Sequence, residues 1–246
     1  IVFGDWSSDV CSSDLARFYR EAQLLHGGAE NVRATRAALA RVEFLRGNWQ
    51  MARSSLEHLL RGDLDPAQRA AYELLKSRSL VEMGDIGEAY AILEENLGRY
   101  TAGPIHDEAK IMAAELLVGE CRRRRAPAAP VPVGGEPAKT APGRLAALDF
   151  DNLAGMAREM LATMLERLPG NDLRRMQVLN GLLELCLLTG DVDAAYRHVR
   201  ELEKLVGHRD QQIRSFDLLA TLEESQGNLA DAENALRFCI KQFPEH

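Results

Sequence analysis

Four short strings put a glycine at one recurring point: GNWQMA from Gly47, GDIGEA from Gly84, GDVDAA from Gly190 and GNLADA from Gly227. In each, Asn or Asp follows the glycine, then a large apolar residue, and an alanine stands five places on. The first two glycines are 37 residues apart, and so are the last two. Apolar residues recur at helical spacing on both sides of each anchor, the pattern of two helices joined by a tight turn. A fixed period of this kind constrains the fold more than any other feature of a chain, because each unit must bury its face against the next. The glycine supplies the left-handed backbone that ends the first helix. The following Asn or Asp is expected to cap the second.

The flanking positions agree. Nine residues past the glycine stand Leu56, Leu93, Val199 and Leu236, on the helical face that also carries Ala52, Ala89, Ala195 and Ala232. Seven residues before it stand Ala40, Ser77, Leu183 and Ala220, three of them small enough for two helices to cross closely. Trp49, two past Gly47, is expected to pack at a helix-pair turn.

A further unit is interrupted. DNLAGMAREMLATMLERLPGN sets Asn152, Ala157, Leu161 and Pro169 at the offsets of Gly227, Ala232, Leu236 and Pro244, so it reads as a second helix. Its first helix is PIHDEAKIMAAELLVGECRRRR, Pro104 to Arg125, with proline at its start. Between them APAAPVPVGGEPAKTAPG holds five prolines and three glycines in eighteen residues, a composition that sustains no helix and predicts a flexible insertion.

These units resemble tetratricopeptide repeats: helix-turn-helix modules with small residues at the crossing, an Ala in the second helix and often a Pro at its end, here Pro244 in ALRFCIKQFPEH. The usual repeat length is 34, so a period of 37 implies a longer helix or connection, as in related helical-pair solenoids. The tyrosine common four residues before the turn is replaced by Glu43, Leu80, Cys186 and Glu223. The resemblance implies an all-α, right-handed superhelix of about five pairs, whose first helices line a concave groove for an extended peptide or a partner helix. The family's groove positions fall on Ala37, Arg41, Phe44 and Leu45 in the first complete pair, and on Leu74, Arg78, Val81 and Glu82 in the second. Further on they fall on Gln177, Asn180, Glu184 and Leu187, then on Arg214, Asp217, Thr221 and Glu224. Arg41 and Arg78 hold equivalent places one repeat apart, and together would pair with a carboxylate or phosphate on a ligand.

The opening eleven residues from Asp5, DWSSDVCSSDL, break the register: extending it back from Gly47 asks for glycine at Val10 and alanine at Leu15. Back-translated, the stretch resembles a sequencing-library adapter read in one frame, so residues 1–15 are expected to be an artefact. The organisation read from the chain is then 1–15 adapter-derived, 16–125 helical repeats, 126–144 Pro/Gly-rich loop and 145–246 helical repeats.

Chemistry is sparse. The sequence holds no glycine-rich phosphate loop, no GxSxG and no HExxH. The six histidines never stand three or four apart, as two ligands on one helix face would. Cys121, Cys186 and Cys239 read as core hydrophobes. Neither a cofactor nor a metal is expected, and the chain reads as a non-catalytic scaffold. A regulatory or docking arm of a larger enzyme or transcription factor is the second reading. The net charge of −7, or −4 without Asp5, Asp9 and Asp14, does not favour nucleic acid as a partner. Arg122 to Arg125 is the one cationic run, and its first explanation is electrostatic: cations suit a helix C-terminus. No run approaches a membrane span.

Overall fold

The computed structural model describes residues 29–125, 144–170, 172–205 and 209–244. Among these the protein is all-α, with eleven helices and no strand. In chain order they are α1 (Ala29–Leu45), α2 (Trp49–Leu60), α3 (Pro66–Glu82), α4 (Ile86–Arg99), α5 (Pro104–Arg125), α6 (Arg144–Ala147), α7 (Phe150–Arg167), α8 (Arg174–Thr189), α9 (Val192–Leu202), α10 (Arg209–Ser225) and α11 (Leu229–Gln242). They fall into two units that divide after Tyr100. The expected artefact at residues 1–15 and the loop at 126–143 lie outside the described residues.

The four turn glycines have φ of 75°, 80°, 79° and 79°, the left-handed region where any other L-residue is strained. The amides that follow them close the preceding helix. Asn48 N–H donates to Glu43 C=O at 2.9 Å, Asp85 N–H to Leu80 C=O at 2.8 Å and Asn228 N–H to Glu223 C=O at 2.9 Å, each beside a glycine N–H bonded three residues back. This is the Schellman ending, which satisfies helix carbonyls that would otherwise lack partners. Trp49 stacks on the first of these turns, its Cζ2 lying 3.8 Å from where a methyl on Gly47 would stand.

Capping is where the structure departs from expectation. Asp191 does cap α9, accepting from Ala194 N–H at 3.1 Å. Asn48, Asp85 and Asn228 make no side-chain cap bond. The two asparagines instead donate backwards, to a glutamate on the helix they follow: Asn48 Nδ2 to Glu43 Oε2 at 2.7 Å and Asn228 Nδ2 to Glu223 Oε2 at 2.8 Å.

In the first unit α1 packs on α2, α2 on α3 and α3 on α4. In the second, α5 packs on α7, so the Pro/Gly segment interrupts a helical pair. There α8 pairs with α9 and α10 with α11, while α8 also touches both α5 and α10. Ala52, Ala89, Ala195 and Ala232 are buried, as are the crossing residues Ala40, Ser77, Leu183 and Ala220. Leu56, Leu93, Leu161 and Val199 are buried too, each worth about 1.5–3 kcal/mol relative to exposure. Leu236, the fifth of that series, is 44% exposed.

Candidate functional site

The first helices carry every residue the repeat pattern assigned to a groove, and the structure divides those residues sharply. In the first unit Arg41 is exposed on α1, and Leu45, in the last turn, is 77% exposed. Phe44 turns inward, against the cluster of Ala37, Ala40, Leu56, Leu59, Tyr72 and Leu75. On α3, Leu74 is buried, Arg78 and Val81 are half-buried, and Glu82 is exposed. The exposed polar residues of this surface are therefore Arg41 and Glu82. Phe44 and Leu74 serve the core.

In the second unit three first helices, α5, α8 and α10, lie side by side and are tied by polar bonds. Asn180 on α8 is fully buried, and its Nδ2 donates to the Gln211 carbonyl oxygen at 2.9 Å and to Gln211 Oε1 at 3.1 Å. Ser215 Oγ donates to Asn180 Oδ1 at 2.9 Å, so both ends of the amide are satisfied by α10. Glu184, one turn on, is also buried. It accepts from Arg214 Nη2 at 2.7 Å on one side and from Arg122 on the other. Arg214 Nη1 lies 3.7 Å from Glu115 Oε1.

Burying an ionised carboxylate is costly unless its charge and lone pairs are matched, and two guanidiniums match them here. Asn180, Glu184 and Arg214, assigned to a groove by the repeat pattern, are thus bound to one another's helices in this structure. The residues of the same pattern left toward solvent are Asp217, Thr221 and Glu224, with Gln177 half-buried. Leu187 packs against the α8–α9–α10 core. Glu115, Arg122, Gln211 and Ser215 complete the surface and were not in the pattern at all. Their partners lie 31, 35 and 62 residues away for Gln211, Ser215 and Arg122, and further still for Glu115, beyond the reach of any local spacing rule.

Among the described residues, three of the four arginines at the end of α5 have internal partners. Arg122 reaches Glu184. Arg123 donates twice to Glu120, at 2.7 and 2.6 Å, and Arg124 Nε donates to the same carboxylate at 2.8 Å. Arg124 also donates to the carbonyls of Leu145, at 2.7 Å, and Leu148. The Arg123 hydrogen bond, helped by Arg124, holds the Glu120 carboxyl below the usual carboxylate range although burial opposes it. Arg125 is exposed.

Of the three described thiols Cys121 and Cys186 are buried, whereas Cys239, expected in the core, is half-buried on α11. Burial pushes Cys121 and Cys186 up to about 11, so at neutral pH both stay protonated and inert. Among the described residues, no three His, Cys, Asp or Glu side chains are placed to hold a metal ion. Among them too, no helix is long and apolar enough to cross a membrane.

No protein-family profile matches the chain, and no curated protein matches it. Its fold is similar to a crystal structure of BtubC (BKLC) from P. vanneervenii. The TM-score is 0.61, over 94% of this chain and 88% of that one, at 16% identity. At that identity the likeness is one of fold.

Proposed function

We propose that the protein is a non-catalytic interaction scaffold of tetratricopeptide type, which takes an extended peptide or a partner helix against the first helices of its pairs. The observation that carries this reading is the α5–α8–α10 surface. Three first helices are locked edge to edge by Glu184, Asn180 and their partners, and next to those ties stand Asp217, Thr221 and Glu224, exposed on a rigid backing. A preorganised polar surface loses little conformational entropy when a ligand docks, which is what a recognition surface needs. The repeat period, the turn glycines and the two inert thiols support the same reading. In the first unit Arg41 and Glu82 are the corresponding exposed groups.

The test is selection of peptides from a displayed random library against the full chain. Enriched peptides are expected to lose most of their affinity on Asp217→Lys or Arg41→Glu, exchanges at exposed positions that leave helicity intact. Peptides that bind all of these variants as well as they bind the parent chain would overturn the assignment of the surface.

A further inference from the structure

We draw no further inference here: the strongest candidate, the cluster of Glu115, Arg122, Glu184 and Arg214 between α5, α8 and α10, belongs to the surface already described, and each of its charged groups is paired with another inside it.

Discussion

Asn48 Nδ2 donates to Glu43 Oε2 across 2.7 Å, over the turn that Gly47 makes, and Glu43 is buried. Asn228 and Glu223 repeat the bond at 2.8 Å. Where the residue four before the turn is Leu80 or Cys186, the residue after the glycine is Asp85 or Asp191 instead. The choice of Asn or Asp thus follows the neighbour: an amide can donate to a carboxylate, and a second carboxylate cannot. Asn48→Asp sets an exposed acid against the buried Glu43 and is expected to cost about 1 kcal/mol at neutral pH, since solvent screens the new carboxylate. The loss should shrink as the pH enters the carboxylate range. Urea denaturation of the variant at two pH values measures it, with Asp85→Asn as the comparison, which weakens the partly exposed Arg53 pair and is expected to cost well under about 1 kcal/mol.

Much of this architecture could be read from the residues. The turn glycines, the buried crossing residues and the polar ending of α5 all follow from local spacing. The pairing of Glu43 with Asn48 was visible in the sequence as well. A capping rule that makes no distinction between Asn and Asp does not reveal it. The groove assignments fared differently. Asn180 and Glu184 stand at solvent-facing offsets of a generic repeat, and whether such a residue stays in solvent depends on how closely the neighbouring first helix approaches. That approach is set by Ser215, Gln211 and Arg214, some 30 residues on, and by Arg122, 62 residues back. Period alone carries no such information.

The Glu184 node makes a graded prediction. Arg214→Leu removes the better-buried of the two guanidiniums and leaves a buried carboxylate half matched, an expected cost of about 2–4 kcal/mol. Arg122 is 61% exposed, so solvent screens its share, and Arg122→Ala is expected to cost about 1 kcal/mol or less. Denaturant titration of the two single variants and the double gives the coupling. Near-equal single losses would refute the ordering.

His198 predicts a pH dependence. Its ring is half-buried on α9, and among the described residues Nδ1 has no hydrogen-bond partner. Burial holds its pKa below the usual 6.5, with Arg197 and Arg158 lowering it further and Glu201 and Asp191 pulling the other way. In the unfolded chain the ring takes a proton near pH 6.5, while in the folded chain it does so only at lower pH. Above 6.5 the group contributes nothing. As the pH falls below 6.5 the unfolded state gains, at a slope of at most about 1.4 kcal/mol per pH unit. His198→Gln is expected to flatten the stability profile between about pH 6.5 and 5, read from thermal melts across that range.

The ends of α5 and α6 predict what the interrupted pair can lose. Arg124 binds the carbonyls of Leu145 and Leu148, and Leu145 is itself buried, so the chain leaves α5 and returns to it at one clasp. A connection between two points already held together needs only enough residues to close. Exchanging residues 126–143 for eight Gly and Ser residues shortens the loop from eighteen, and by loop-closure entropy is expected to stabilise the fold by about 0.7 kcal/mol. Leu145→Ala, by contrast, opens a cavity under the clasp and is expected to cost about 2–4 kcal/mol. Arg124→Ala takes the guanidinium from the Leu148 carbonyl, leaves the Leu145 carbonyl only the long bond from Leu148 N–H, and frees one side of the buried Glu120, whose carboxyl its arginines hold below the usual range. Equilibrium denaturation of the three variants distinguishes a pair held by its clasp from one held by its insertion. In the second case the shortened chain, not Leu145→Ala, would be the least stable of the set.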